Sequence, residues 1–451
     1  GSVKCIEDEI PFEVPKGWEW CRVRDIAAVK GGKRLPKGVG FSPCRTAHAY
    51  IRVTDMKNHS INTDDLKYIS EEVFLQIKNY TISKDDLYVT IAGTIGVTGE
   101  VPTELDGMNL TENAVKITNI QINKTYLCLI IQSEFVQQQF QDKTHQVAMP
   151  KLALERILST LIPVCTITTQ SAMVSKFVEM DSLINQIREE KEILAETVSL
   201  TKSKILDLAI RGQLVPQDPN DEPASVLLER IRAEKEELIK AGKIKRDKKE
   251  SIIFRGEDNS YYQQTGTLIE NINDWNLDDI PINWELCCLG EICDYGNCVN
   301  VDTKDIDEEA WVLDLEDIEK DSGKVIHKIR KYERDSSSTK HLFKKGQVLY
   351  SKLRPYLNKV VLADEEGFCT SEILPLNFSN VVEPQYALYY LMSPTFLKYA
   401  NRCSYGVKMP RLGTADGRKA VFPLPPFEEQ RRISQHISKI FIEIDNISNM
   451  L

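Results

Sequence analysis

A heptad pattern between Met173 and Leu208 constrains this chain more than any other feature. Read at alternating steps of four and three, it places Met173, Phe177, Met180, Ile184, Ile187, Leu194, Val198, Ile205 and Leu208 on one seam, interrupted by Lys191 and Thr201. Polar residues such as Arg188, Glu189, Glu190, Glu192 and Glu196 lie between them. An apolar repeat of 3.5 residues held this long predicts a coiled-coil helix, not an ordinary surface helix. The end of the chain repeats it. Ile433, Ile437, Ile440, Ile444, Ile447 and Leu451 stand 260 residues beyond Met173, Phe177, Met180, Ile184, Ile187 and Lys191. A shared register makes this an internal repeat.

The same offset organises the rest. "MPKL" at Met149–Leu152 answers "MPRL" at Met409–Leu412, "IPV" at Ile162–Val164 answers "FPL" at Phe422–Leu424, and Gln170 answers Gln430. Tyr126–Phe140 and Tyr386–Tyr399 read as one helix in each copy. Near the start, Pro15, Trp18, Glu19, Cys21 and Ile26 find counterparts in Pro281, Trp284, Glu285, Cys287 and Ile292, each opening a strand and a short helical turn. Short apolar runs at Tyr50–Val53, Leu87–Ile91, Gly96–Val101 and Ala114–Ile117, punctuated by glycine and proline, predict a strongly β portion. The expected fold is therefore α+β, two copies of one plan: a mixed globular unit, a proline-containing elbow, then a long helix. After the first long helix, Gly212 reads as a C-cap and Pro216 and Pro219 forbid continuation. Pro223 opens a second helix over about Ala224 to Ala241. Lys240–Ser251 is a basic polar run, and 251–279 reads as an irregular connector.

Size and composition admit about two to four domains in 451 residues, 42% hydrophobic and 27% charged. No apolar run is long enough to span a bilayer, and no signal-peptide pattern opens the chain. The start, Gly1-Ser2 without Met, fits a cloning remnant or a beginning inside a longer chain. Eleven cysteines are scattered without a CxxC pair. The densest group, Cys287, Cys288, Cys293 and Cys298, fits no common zinc module, so no metal is expected and a reduced, cytoplasmic setting is the plain reading.

A net charge of −10 argues mildly against nucleic acid, but acidic residues concentrate in Glu189–Glu196 and Asp302–Asp317 while basic ones cluster elsewhere. "VKGGKRLPKG" (Val29–Gly38) carries Lys30, Lys33, Arg34 and Lys37 without the order of a phosphate-binding P-loop. "YSKLRPYLNKVV" (Tyr350–Val361) gathers Lys352, Arg354, Tyr356 and Lys359 around a proline. Lys151, Lys408 and Arg411 flank the two "MP" turns, and Arg330, Lys331 and Arg334 form a further basic group. Basic residues interleaved with aromatic ones on loops suit DNA contact. Solvated surface loops would show the same composition. The candidate DNA-binding residues are Lys33, Arg34, Lys37, Lys151, Lys352, Arg354, Tyr356, Lys408 and Arg411, on loops Lys30–Lys37, Lys143–Lys151, Tyr350–Lys359 and Arg402–Arg411.

Strand-opening "IP…W", "MPKL/MPRL", "PLPPFEEQRRI" (Pro423–Ile433) and a heptad helix, present twice, resemble the specificity subunit of type I restriction–modification systems. The likeness spans essentially the whole chain, and "KILDLAIRGQLVPQDPNDEPASVLLERIRAEKEELIKAGKIKRDKKE" (Lys204–Glu250) resembles the central conserved region of one subgroup. In the first copy "PLPPFEEQ" is eroded to "IPVCTITTQ", keeping Pro163 and Gln170. The resemblance implies two target-recognition domains, each reading half of a split double-stranded DNA site, held apart by long antiparallel coiled-coil helices. It implies the domains 1–168 (first recognition domain), 169–250 (central helical region), 251–279 (connector), 280–426 (second recognition domain) and 427–451 (C-terminal helix). The implied partners are two methyltransferase subunits using S-adenosylmethionine and restriction subunits using ATP and Mg, with no cofactor in this chain. The C-terminal helix is shorter than the central one and would cover only part of its seam. Either the chain is trimmed or another segment completes the pair, and the subgroup resemblance would place that missing partner of the central helix before residue 1.

An enzymatic reading is weaker. Amino-group methyltransferases use [Asp/Asn]-Pro-Pro-[Tyr/Phe], whose polar first residue accepts a bond from the target amine. The nearest string is "LPPF", Leu424–Phe427, and leucine accepts no such bond. A non-catalytic subunit is expected. The heptads alone would also allow a coiled-coil scaffold whose globular ends bind proteins.

Overall fold

A computed structural model describes residues 6–141, 151–242, 250–272, 275, 277, 280–334 and 338–450. The chain divides into two compact units, Gly1–Arg188 and Glu189–Leu451.

In the first unit the run around Trp20 forms a strand, Glu19–Arg22, antiparallel to Leu161–Val164, with Trp20 opposite Pro163. A two-stranded ribbon has a free edge, so the missing proline N–H costs no ladder bond. Two four-stranded sheets follow. One runs Lys67–Ile69, His48–Ile51, Met108–Leu110, Thr81–Ile82, and the other Ala28–Gly31, Ala114–Thr118, Leu87–Thr90, Thr98–Glu100. Leu87–Thr90 is buried on both faces. Its alternation sends Leu87 and Val89 into a core with Leu127 and Ile131, while Tyr88 joins Ile51, Ile82 and Leu110 in another.

The second unit repeats the ribbon as Glu285–Cys288 against Val421–Leu424, with Leu286 opposite Pro423. A five-stranded sheet runs Val299–Val301, Lys340–Phe343, Gly367–Thr370, Trp311–Leu313, Ile329–Arg330, and a three-stranded one Val360–Leu362, Val348–Ser351, Ile373–Leu376. Residues read as an irregular connector form a three-stranded antiparallel meander instead, Ser251–Arg255, Tyr261–Thr265 and Leu268–Asn271. Its inward Gln263 donates to Lys419 O at 2.7 Å, so tertiary contact supplies the order that its mixed polar sequence does not announce.

Two further readings change. Each Tyr126–Phe140 and Tyr386–Tyr399 stretch is a pair of helices, Lys124–Gln132 with Glu134–Gln141 and Pro384–Met392 with Pro394–Cys403. Ser133 and Ser393 adopt extended backbone at the break, and each hydroxyl lies near the amide three residues on, 3.4 Å from Val136 N and 3.3 Å from Phe396 N.

The elbow is shared between copies in atomic detail. Tyr126 donates to Pro163 O at 3.0 Å and Tyr386 to Pro423 O at 2.9 Å. Gln170 accepts from Asn123 N at 2.9 Å and donates to Cys165 O. Gln430 accepts from Glu383 N at 2.8 Å and donates to Pro425 O. Both glutamines are buried, at 1% and 0% exposure. Each ties a helix N-terminus to the turn that launches a long helix, which explains why the eroded copy keeps Gln170.

The central helix runs unbroken from Ile167 to Ile210, roughly 66 Å at 1.5 Å per residue. It ends in a Schellman motif, with Gly212 at φ +69, Gly212 N donating to Ala209 O and Gln213 N to Leu208 O. Its last turns share a core with the C-terminal helix Phe427–Met450: Leu206, Ala209 and Ile210 join Ile433 and Ile437. Lys202 pairs with Asp445 and lies 5.2 Å from the Phe441 ring, while Gln217 meets Glu429 and Asp221 meets Arg432. Of these, Lys202 is on the helix itself, while Gln217 and Asp221 follow its end at Ile210. Along the first half of the helix the seam is open, with Met173, Phe177, Met180, Ile184 and Ile187 all exposed. Among the described residues, no helix is long and apolar enough to cross a membrane.

Candidate nucleic-acid interface

In each unit, basic loops converge on the turn that ends a strand, and a glutamate stands at the centre of that turn. In the first unit the turn follows Met108–Leu110. The loop after Ala28–Gly31 is strapped to it by Gly32 N to Ala114 O at 3.1 Å and Lys33 N to Leu110 O at 2.9 Å. Gly32 is required there, because a Cβ would stand 2.0 Å from Thr111 O. Tyr50 donates to Lys33 O at 2.8 Å. Burial, with the Glu112 carboxylate adding to it, raises its phenol to about 12, so it stays a donor.

Glu112 Oε1 accepts from Arg34 Nε at 2.6 Å, and Glu112 O accepts from Lys151 Nζ at 3.1 Å. Burial works against ionisation of Glu112, but the bonds from Arg34, its own backbone amide and Thr111 outweigh it and hold the carboxyl below the ordinary range. Lys33 Nζ lies 5.4 Å from the Tyr80 ring, and Lys37 is exposed. Of the expected loop Lys143–Lys151, residues 143–150 lie outside the described part and Lys151 within it.

In the second unit the turn follows Gly367–Thr370, and Glu372 occupies the place of Glu112. Its carbonyl accepts from Lys352 N at 3.0 Å. The segment around "MPRL" lies alongside, with Leu412 N donating to Lys352 O and Arg354 N to Pro410 O at 2.7 Å. Arg411 grips Glu372 with Nε at 3.0 Å and Nη2 at 2.7 Å, and its Nη1 donates to Met409 O. The Arg411 guanidinium holds the Glu372 carboxyl below the usual carboxylate range.

Arg354 sits in left-handed backbone at φ 50, an uncommon and strained place for a side chain of its size. Its Nε is buried without a partner among the described residues, beside a hollow of about 280 Å³ walled in part by Leu315, Ser351, Lys359 and Met409. Tyr356 is 47% exposed on the short helical turn that follows, and Lys408 is exposed.

The structure thus brings Lys33, Arg34 and Lys151 together in one unit, and Lys352, Arg354, Lys408 and Arg411 in the other. Arg330, Lys331 and Arg334 are tied to Glu365, Glu308 and Asp317 and form no free basic group. Sequence reasoning passed over Glu112 and Glu372. The signal was present, since they stand 260 residues apart like the other repeat pairs.

Among the described residues no group of three or more His, Cys, Asp or Glu could hold a metal ion. Burial raises the Cys288 thiol to about 12 and the Cys287 thiol well above its ordinary value, so both behave as core side chains.

Comparison with known proteins agrees with this two-fold plan. The family model "Type I restriction modification DNA specificity domain" matches residues 15–196 and 281–450. The specificity subunit of type I restriction enzyme EcoAI of Escherichia coli is 30% identical over 255 residues, 54% of this chain and 39% of that protein. That of EcoEI, also from Escherichia coli, is 32% identical over 251 residues, again 54% and 39%. The chain therefore matches about two-fifths of the length of these relatives. Among solved structures, the HsdS subunit from Thermoanaerobacter tengcongensis shares the fold with a TM-score of 0.53 at 16% identity, covering 98% of this chain and 93% of that one. A chain from work on complex assembly and conformational transition of the type I R-M system gives 0.57 at 16% identity, covering 98% and 94%. With both repeats matched by the family model, the chain belongs to the type I restriction–modification DNA specificity family.

Proposed function

We propose that this chain is the DNA-specificity subunit of a type I restriction–modification complex, each unit reading one half of a bipartite double-stranded target. The observation that carries the reading is the repeated tip: two turns, equivalent in the repeat, each gathering loop cations around a glutamate. Two separate basic tips on one chain suit two half-sites. The contacts offered are Lys33, Arg34, Lys37, Lys151, Lys352, Arg354, Tyr356, Lys408 and Arg411.

In this reading the central and C-terminal helices pair as an antiparallel coiled coil that sets the gap between half-sites. The Lys202–Asp445 pair and the shared apolar core support that arrangement. The outward helical faces dock two methyltransferase subunits, and restriction subunits join outside them. The chain itself is non-catalytic and works in the cytoplasm. S-adenosylmethionine, ATP and Mg belong to the partner subunits. A protein-binding coiled-coil scaffold is disfavoured by the cations that both tips gather around an equivalent glutamate.

The decisive experiment is modified-base sequencing of the host genome with and without this gene. Loss of adenine methylation at one split motif is expected on deletion. Unchanged methylation, together with DNA affinity indifferent to salt, would return the scaffold reading.

A further inference from the structure

The two tips hold their arginines differently. Arg411 has Nε and Nη2 on Glu372 and Nη1 on Met409 O, so each of its three nitrogens donates within the protein. Arg34 is bound through Nε alone, and its side chain is 80% exposed. Among the described residues nothing accepts from its two terminal nitrogens. The latch itself is fixed: Glu112 is largely covered, its second oxygen lies 3.2 Å from Thr111 Oγ1, and the Arg34 loop is strapped down at Gly32 and Lys33.

We infer that Glu112 is a positioning residue that aims the Arg34 guanidinium at a guanine in one half of the target. The chemistry favours a base over a phosphate. A carboxylate beside a guanidinium cancels much of its charge, and charge is what a phosphate contact uses. It leaves the direction of the two terminal N–H groups intact and narrows it, and direction is what a bidentate contact to guanine O6 and N7 requires. Lys37 and Lys151, on the same tip, supply cations for the backbone. This inference rests on the proposed DNA-reading role and adds the base class and the residue that orients its reader.

The test uses the chain in complex with its methyltransferase subunits and duplexes carrying the motif found by modified-base sequencing. Each guanine in turn is replaced by 7-deazaguanine, which lacks the N7 acceptor. The wild-type complex should lose roughly 5- to 150-fold in affinity at one guanine of one half-site. Arg34→Lys, which keeps the charge but not the fork, should erase that discrimination. Glu112→Gln should erode it, while the other half-site keeps its own preferences and certifies the fold.

Arg34→Ala weakening every duplex alike, with the salt slope reduced by about one, would make Arg34 a phosphate contact and overturn the inference. Glu112→Gln leaving the 7-deazaguanine penalty intact would remove Glu112 from it. A wild-type complex that binds no bipartite site would fell the proposed function, and this inference with it. If Glu112→Gln does not fold, Arg34→Lys decides the base assignment, and Glu112→Asp, which keeps the charge but shortens the latch, decides the positioning role.

Discussion

The two units keep the same acids and draw their arginines from different places. Glu112 takes Arg34 from a loop 78 residues upstream, while Glu372 takes Arg411 from 39 residues downstream. The buried acid of the turn after the parallel strand behaves likewise. Asp55 caps the backbone at Arg52 and pairs with that residue's own side chain, whereas Asp317 caps the backbone at Asp314 and pairs with Arg334, 17 residues on. The acids are tied to backbone that the fold cannot do without. The arginine that pairs with each acid comes from a different place in the chain in the two units, so the same acid is neutralised without the same arginine.

The sharpest way to break this comparison is Arg334→Ala. It strands Asp317, whose side chain is 1% exposed, and should cost about 3–4 kcal/mol in urea unfolding of the second unit. The parallel change Arg52→Ala leaves a slightly less covered Asp55 and should cost less. Equal costs would mean that the source of the arginine is immaterial. Next comes Gly32→Val, which drives a side chain into the Thr111 carbonyl and should cost about 2–3 kcal/mol, with loss of discrimination confined to one half-site. Selectivity at both half-sites falling together would sink the assignment of one tip to one half.

The smallest effect concerns acid. Because Arg411 depresses the Glu372 pKa, the pair's stabilisation is fully present above the ordinary glutamate value near ~4.3 and is lost as pH falls through the depressed one. The pair is a quarter to a third exposed, so the loss should amount to about 1 kcal/mol at most. Arg411→Ala should flatten the acid limb of the stability curve below about pH 4, and an unchanged limb would deny the clamp any energetic role.

Much of this architecture was legible because it is periodic or repeated. The heptads marked both long helices, and the 260-residue offset paired Pro163 with Pro423 and Gln170 with Gln430 before any contact was known. The break at Ser133 was not legible, since the apolar spacing continues across it and a single hydroxyl decides the cap, whereas the break at Ser393 is marked by Pro394, which opens the second helix. Nor was the meander at Ser251–Asn271, whose order rests on what Gln263 and Ile253 meet across the chain. The basic residues at the tips could be collected from sequence, but their availability could not. Arg34 and Arg411 look alike in one dimension, and only the number of donors that a glutamate takes separates them.

The ribbons have a consequence for ancestry. Glu19–Arg22 lies beside Leu161–Val164, and Glu285–Cys288 beside Val421–Leu424, so each unit enters and leaves through neighbouring strands about 5 Å apart. A domain whose ends meet can be lifted out and replaced by another of different length without disturbing what flanks it. Recombination between genes can therefore exchange one globular domain while preserving the helices, and under the proposed DNA-reading role such an exchange would give a new sequence preference in a single event.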